Sequence, residues 1–136
     1  MLDDENFFVS LPTYTAYYMN LHLPNVITKL SYRFNKFSIV YGIRCRRTSM
    51  LYVGSTMVPK LRFHNHPVTG KPSNRALQSA IVKYGLHNFV VYVFEIVVFP
   101  KGLTSMEQKA YLRAVEQRYI DHFPKNQLYN EINSSS

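Results

Sequence analysis

The sequence predicts a small α+β domain in which a three-stranded antiparallel sheet is flanked by helices. Residues 38–45 and 50–54 are rich in β-branched and aromatic side chains and are joined by a short polar segment, which is typical of a β-hairpin. Residues 89–99 form a nearly continuous apolar run, which is typical of a central strand buried on both faces. Residues 74–84 and 105–122 carry apolar side chains at helical spacing. These three observations define the predicted fold.

The hairpin is predicted in one particular register. A two-residue loop over residues 47–48 would pair Tyr41 with Gly54 and Ile43 with Tyr52. The two tyrosines would then lie on one face of the hairpin as diagonal neighbours. A change of one residue in the loop length would move them to opposite faces.

A short helix is predicted directly after the hairpin. Ser55 or Thr56 can cap it, and Pro59 falls in its first turn, where the missing N–H has no intrahelical partner to lose. Arg62 and His66 are about one turn apart and share a face of this helix. Two phenols, a guanidinium and an imidazole are therefore expected to converge on one concave surface.

Two longer helices are predicted to cover the sheet. Ser73 is the expected N-cap of the first, which ends before a glycine. Thr104 and Glu107 form a capping box at the start of the second. Glu116 lies beside the apolar stripe of this second helix, and the pattern alone favours a carboxylate that points to solvent.

Length and composition predict one domain. The chain has 136 residues and is 46% hydrophobic, which is enough for a single core. Residues 1–36 are rich in tyrosine and lack a sustained period, so we expect an irregular extension that packs partly on the domain, with stacking on nucleic acid as an alternative. Residues 37–132 are the domain and residues 133–136 a tail. No apolar run is long enough to span a bilayer, and the single cysteine, Cys45, excludes an intrachain disulfide.

The positive charge is concentrated in the predicted domain. The net charge is +8, and residues 1–36 hold three basic and three acidic side chains, so the whole excess lies in residues 37–136. Such a distribution is expected of a protein that binds a phosphate backbone, and a soluble basic protein without a nucleic-acid partner is the alternative. The side chains expected to contact nucleic acid are Arg44, Arg46, Arg47, Lys60 and Arg75.

The hairpin and short helix resemble the GIY-YIG nuclease family. Tyr41 is followed after ten residues by Tyr-Val-Gly at 52–54 and then by Arg62 and His66, in the order and spacing of that family. Ile39 stands where the first glycine of the family's name would be. Because the tyrosine of that tripeptide carries the chemistry, this departure leaves the resemblance in place.

The end of the predicted domain resembles the same family. The segment EQRYID, which begins at Glu116, is followed by a proline and by Leu-Tyr-Asn at 128–130. The segment SNRALQSAIVKYGLHNF, residues 73–89, is also similar, although Pro72 occupies a place where some members carry a polar residue. The resemblance covers about residues 38–132 and implies that Asn130 is the companion amide of Glu116.

The resemblance implies a metal-dependent endonuclease that hydrolyses DNA phosphodiester bonds. Glu116 would bind one divalent cation, Mg²⁺ or alternatively Mn²⁺, and Arg62 would contact the phosphate oxygens. Tyr41 would activate water, Tyr52 would orient the water or phosphate, and His66 would transfer protons. A phenol has a reference pKa of about 10, and we expect the metal, Arg62 and the basic surface to favour the phenolate. Whether Tyr41 or His66 is the base stays open.

The expected partner is double-stranded DNA, and no membrane partner is expected. The oligomeric state stays open, and a monomer is one of the alternatives. The compact form resembles intron-encoded homing enzymes, and the acidic start MLDDENFF resembles no import signal, so synthesis inside a mitochondrion, or alternatively a chloroplast, is expected. A non-cleaving nucleic-acid-binding module on the same fold is one alternative, favoured by the absence of an appended recognition region before Ser136. A repair or restriction nuclease is the other.

Overall fold

The computed structural model describes residues 10–65 and 74–132, with only the backbone of His64 and Asn65. These residues form a four-stranded antiparallel sheet with helices on both faces, in the strand order β1-β4-β2-β3. The strands are β1 (Ala16–Tyr18), β2 (Ser38–Cys45), β3 (Leu51–Thr56) and β4 (Phe89–Val97). The helices are α1 (Pro24–Arg33), α2 (Arg75–Tyr84) and α3 (Ser105–Asp121). Shorter helical turns span Leu61–Asn65, Leu86–Asn88, Lys125–Gln127 and Tyr129–Glu131.

The α+β class is as predicted, but the sheet has four strands rather than the expected three. The additional strand, β1, pairs with the edge of β4 that lies away from β2. It has only three residues, which is too short for an alternating pattern to appear in the sequence. The fourth strand could therefore be recognised only from its pairing with β4 in the structure.

The irregular conformation expected before residue 37 is wrong for the described residues 10–36. Besides β1, this part of the chain contains α1, which begins at Pro24 after the N-cap residue Leu23. The Leu-Pro step is thus a helix start, where proline is well tolerated. Leu30 and Phe34 are buried in the main core, so this segment belongs to the folded unit.

The hairpin register is as predicted, whereas the loop is longer. Tyr41 pairs with Gly54 and Ile43 with Tyr52. The pair Cys45 and Met50 closes the loop, because the Cys45 N–H donates to the Met50 carbonyl at 2.9 Å. The expected two-residue loop is therefore replaced by residues 46–49. Extending the loop by one residue on each strand leaves the register unchanged.

The core lies on both faces of the sheet. Leu30 of α1 and Ile81 of α2 belong to the cluster on one face, together with Tyr41. Leu112 and Val115 of α3 belong to the cluster on the other face. β4 pairs with β1 and β2 and is buried along most of its length, so the prediction of a central strand is confirmed.

The helix ends follow the predicted chemistry with one shift. The capping box of Thr104 and Glu107 is present at the start of α3. The N-cap of α2 is Asn74, whose side chain accepts from the Leu77 N–H at 2.8 Å; the predicted cap, Ser73, lies outside the described residues. In the described part of the chain, no helix is both long and apolar enough to cross a bilayer.

Candidate active site

A cavity of about 550 Å³ opens where the end of β3 faces α3. β3 is the outermost strand of the sheet, so the cavity lies at a sheet edge. One wall is formed by β3 and the helical turn that follows it, and the other by α3. The side chains that line the cavity include Tyr52, Ser55, Arg62, Lys109, Arg113 and Glu116.

Tyr41 is buried beside this cavity, and Gly54 makes its position possible. A Cβ atom on Gly54 would lie 2.7 Å from the Tyr41 hydroxyl oxygen. The phenol therefore lies directly over a residue without a side chain, and any other residue at 54 would displace it. The ring centroids of Tyr41 and Tyr52 are 6.5 Å apart, which is the diagonal arrangement predicted from the register.

Thr56 and Val58 position Arg62 after the end of β3. The Val58 N–H donates to Thr56 Oγ1 at 3.0 Å, and the Arg62 N–H donates to the Val58 carbonyl at 2.9 Å. The capping role predicted for Ser55 or Thr56 therefore falls to Thr56. The turn returns the chain over the edge of the sheet, and Arg62, which is half-buried, faces the cavity.

Glu116 faces the sheet edge and not the bulk solvent. Its carboxylate Oε1 accepts a hydrogen bond from the Ser55 hydroxyl of β3. Arg62 and Glu116 both influence the pKa of Tyr41 electrostatically, the guanidinium lowering it and the carboxylate raising it. Side chains from β2, β3, the following turn and α3 are thus near enough to interact in one place.

Burial dominates the acid–base behaviour of Tyr41. Only 2% of this residue is exposed, and burial raises the pKa of its phenol well above the ordinary value, with Tyr52 and Glu116 raising it further and Arg62 opposing them. The protein groups on their own therefore keep the hydroxyl protonated at neutral pH. The expected phenolate does not arise from Arg62 alone.

Asn130 holds the outer edge of β3. Its side-chain Oδ1 accepts from the Val53 N–H at 2.9 Å, and its Nδ2 donates to the Val53 carbonyl at 2.8 Å. The amide thus satisfies two backbone groups that an edge strand would otherwise leave without a strand partner. Because Val53 precedes Gly54, Asn130 acts on the cavity through the position of β3.

We expect the Asn130→Ala substitution to lower the free energy of unfolding by about 1–3 kcal/mol, because it leaves the two Val53 backbone groups unpaired. Urea unfolding of both proteins measures this change. Asn126→Ala is the matched control, since Asn126 is an exposed asparagine of a neighbouring turn. Equal unfolding midpoints for wild type and Asn130→Ala would contradict the assigned role.

The three arginines predicted to contact nucleic acid from the hairpin lie at its loop end, away from the cavity. Arg44 is half-buried and donates from Nη2 to the Ser49 hydroxyl at 2.9 Å. Arg46 is exposed. The Arg47 guanidinium lies over the Tyr84 ring at 5.7 Å. These cations and the cavity are therefore at opposite ends of β3.

The remaining two predicted nucleic-acid contacts are Lys60 and Arg75. Lys60 lies over the Tyr32 ring at 4.6 Å, and Arg75 is exposed at the start of α2.

Two cations of the cavity were missed by the sequence analysis. Lys109 and Arg113 of α3 line the cavity together with Glu116. Their spacing of one helical turn was visible in the sequence, but only the packing of α3 shows which face meets β3.

The oxygen donors at the cavity fit one kind of metal binding. Within residues 10–65 and 74–132, no three side chains of His, Cys, Asp or Glu come together as a metal cluster. Glu116 and the Ser55 hydroxyl are available at the cavity wall. A single carboxylate combined with water and substrate phosphates is a usual arrangement for Mg²⁺. His66, the predicted proton-transfer residue, lies outside the described residues.

Comparison with known proteins identifies one similar protein of curated name. It is described as "Probable intron-encoded endonuclease 1" of Neurospora crassa and is 38% identical over 79 residues. The aligned residues are 58% of this chain and 25% of the relative, so the chain spans about a quarter of the length of that protein. No protein-family model matches the sequence, and no solved structure matches it significantly.

Proposed function

We propose that this protein is a DNA endonuclease of the GIY-YIG type that hydrolyses phosphodiester bonds in the cavity at the β3 edge. The observation that carries the proposal is that Arg62, Glu116 and the two tyrosines come from four chain segments to one place. Tyr52, Arg62 and Glu116 line the cavity, and Tyr41 interacts with all three. Similarity to a protein named as an intron-encoded endonuclease supports the same class of activity.

Arg62 supplies the binding of the phosphoryl group. A guanidinium can donate to two phosphate oxygens at once, and it remains charged at all relevant pH values. Phosphoryl transfer needs stabilisation of charge on these oxygens. Because Arg62 is half-buried at the cavity, its charge is less screened by water than that of a surface arginine.

Lys109 and Arg113 supply contacts to the neighbouring phosphates. Both are exposed on the wall formed by α3, so a nucleic-acid strand in the cavity would meet them before it reached Arg62. Two long cationic side chains on one helix face offer a row of phosphate contacts without reading the base sequence. They orient the strand, and Arg62 holds the phosphate that reacts.

The tyrosines act through their hydroxyl groups. Burial raises the pKa of the Tyr41 phenol further above neutral pH, so the hydroxyl keeps its proton and can donate a hydrogen bond that would orient a water or a phosphate oxygen. Tyr52 is half-buried at the cavity wall and can hold the other side of the same group. The proton of the attacking water would then be removed by His66, or by Tyr41 once a bound cation has lowered the pKa of its phenol.

Glu116 is the proposed ligand of one divalent cation, Mg²⁺ or alternatively Mn²⁺. Such an ion, when bound, would neutralise charge developing on the leaving oxygen. The carboxylate is held by Ser55, and this bond fixes its direction toward the sheet edge. Asn130, two residues after Leu128 in the closing turn, holds β3 and so keeps Ser55 in place.

Incubation with supercoiled plasmid tests the proposal. We expect the wild-type protein to nick the plasmid with MgCl₂ and to stop when EDTA is added. The Arg62→Ala variant should nick about 10²–10³-fold more slowly, because a preorganised charge contact is lost. Lys101→Ala is the matched control, since Lys101 is an exposed cation before α3 and is not among the cavity residues. Wild-type protein that binds the plasmid without nicking it would contradict the enzymatic proposal.

A non-cleaving nucleic-acid-binding module is the second candidate. The observation that favours it is the burial of Tyr41, which raises the pKa of its phenol and so opposes a role as general base without a further charge beside it. In this case the cations at the cavity would bind phosphates only.

For both candidates we expect affinity for duplex DNA to fall steeply as salt rises, and an affinity independent of salt would contradict any role with nucleic acid.

We further propose that the protein is intron-encoded and acts in homing, in a mitochondrion or alternatively in a chloroplast. The name of the Neurospora crassa relative supports an intron-encoded origin. The expected substrate is a double-stranded DNA target. Sequencing of the cleavage products from a plasmid library tests this role, because a homing enzyme cuts at one site and a non-specific nuclease at many.

A further inference from the structure

Three tyrosines form an exposed cluster on the face of the sheet that carries α3. Tyr17 of β1 pairs with Tyr92 of β4, and their ring centroids are 6.2 Å apart. Tyr14 lies against both, at 6.0 Å from Tyr17 and 4.9 Å from Tyr92. Tyr14 is 45% exposed and Tyr17 is 54% exposed. We refer to Tyr14, Tyr17 and Tyr92 as the tyrosine patch.

Further aromatic rings hold the patch in position from the core side. The Phe94 ring is nearly parallel to the Tyr92 ring, with an angle of 4° and a centroid distance of 6.3 Å. Tyr119 of α3 stacks on Phe94 at 5.2 Å. Gly42 makes room for this arrangement, since a Cβ there would lie 2.6 Å from the Phe94 ring. The patch is therefore the exposed end of a fixed row of rings.

Cross-strand packing explains only a part of the patch. A pair of tyrosines on β1 and β4 stabilises a strand of three residues. Tyr14, however, precedes β1 and is not needed for its pairing, because the chain is already joined to β4 by the Thr15 N–H, which donates to the Val93 carbonyl at 2.8 Å. Tyr14 therefore enlarges a contiguous exposed aromatic surface, and such surfaces mark interaction sites.

Arg44 lies next to the patch, and Arg46 lies at the loop end of the same hairpin. The Arg44 guanidinium is close enough to Tyr92 to oppose the rise that burial causes in the pKa of its phenol. The Arg46 side chain is exposed. The backbone N–H of Arg46 donates to the Asn88 carbonyl, just before β4, at 2.7 Å. Exposed rings beside guanidinium groups match a ligand that combines flat bases with phosphates. Base stacking on aromatic side chains with charge contacts along the backbone is the general mode of single-strand binding.

We propose that the tyrosine patch binds the unpaired bases of a single-stranded nucleic acid, with Arg44 and Arg46 contacting its phosphates. The patch involves β1 and β4, whereas the cavity is at the β3 edge, which is the opposite edge of the sheet. The proposal therefore does not depend on cleavage. It gives the protein a second binding site, for strands whose bases are free to stack.

Fluorescence anisotropy with the full chain tests this site. The probes are a labelled short oligothymidylate and an abasic strand of the same length, which has the phosphates but no bases. We expect the wild-type protein to bind the oligothymidylate more tightly. The Tyr14→Ala/Tyr17→Ala variant should lose about tenfold or more of that affinity and keep its affinity for the abasic strand. The Tyr14→Phe/Tyr17→Phe variant should bind like wild type, because the rings stack and the hydroxyls do not.

Tyr111→Ala is the matched control, since Tyr111 is a 38% exposed tyrosine of α3 that packs on Phe99 and lies outside the patch. The single Tyr14→Ala variant provides a second test that leaves β1 intact, and it should lower the affinity in the same direction. Binding of intact duplex DNA should be unchanged in all of these variants. Equal wild-type affinity for the two single-stranded probes would overturn the proposal, and so would an equal loss for both probes in Tyr14→Ala.

Discussion

Replacing Tyr41 by phenylalanine is expected to slow plasmid nicking by about 10²–10⁴-fold and to leave the free energy of unfolding near that of the wild type. The substitution keeps the ring, which is buried and packs edge-on against Phe63 at a centroid distance of 4.9 Å. It removes only the hydroxyl that lies over Gly54. A large loss of rate without a loss of stability would separate the chemical role of this tyrosine from its packing role.

Single-turnover nicking and urea unfolding measure the two quantities. Tyr129→Phe is the matched control, because Tyr129 is also buried and its hydroxyl interacts with Thr48 and Cys45, away from the cavity. We expect this control to nick at the wild-type rate. If Tyr41→Phe nicks as fast as the control, Tyr41 has no chemical role and the mechanism proposed above is wrong.

Tyr41→Phe also has a predicted signature in alkali. Burial raises the pKa of the Tyr41 phenol in the folded protein above its unfolded value of 10.0. The stability that this group contributes is therefore fully present below the unfolded pKa and is lost as the pH rises through the higher folded pKa. As the pH rises above about 10, wild type should lose more stability than Tyr41→Phe, as followed by urea unfolding at each pH.

Glu116→Gln is expected to slow nicking by about 10²–10³-fold while strengthening the binding of duplex DNA. Glutamine has nearly the same shape as glutamate and can still accept the hydrogen bond from Ser55, so the cavity should keep its form. The negative charge is removed, which weakens the attraction for a divalent cation and relieves the repulsion of phosphates. Opposite effects on rate and affinity are not expected from a structural role.

Nicking as a function of MgCl₂ and anisotropy with duplex DNA measure these effects. Glu95→Gln is the matched control, since Glu95 is a half-buried carboxylate that accepts a hydrogen bond from the Tyr119 hydroxyl at 2.7 Å and lies outside the cavity. This control should retain the wild-type rate and affinity. A Glu116→Gln protein with an unchanged Mg²⁺ dependence would exclude Glu116 as the metal ligand.

Local patterns were sufficient for most of the elements around the cavity. β-Branched and aromatic runs identified β2, β3 and β4, and the capping residues identified the start of α3. The hairpin register was predicted although the loop was not, because loops over 47–48 and 46–49 leave the same residues opposite each other. Patterns failed for β1 and α1, since a strand of three residues carries no period and a Leu-Pro step looks like a break.

The candidate site was predictable to the extent that it depends on order along the chain. Tyr52, Arg62 and Glu116 were selected from the sequence, and the structure brings them to one cavity. Lys109 and Arg113 were not selected, because a basic residue on a helix is ordinarily in solvent. The burial that raises the pKa of the Tyr41 phenol was also not predicted, since nearby charges such as Arg62 can be read from a sequence pattern but burial cannot.

The amino-acid sequence by itself determined the fold class and the pairing of Tyr41 with Gly54. These properties depend on alternation, caps and spacing, which are local. The tertiary structure alone decided that Asn130 hydrogen-bonds to the backbone of β3 and that two cations of α3 face the cavity. It also decided that Tyr14, Tyr17 and Tyr92 form an exposed cluster. Such contacts join residues far apart in the chain, and they exist only after the helices and the sheet have packed together.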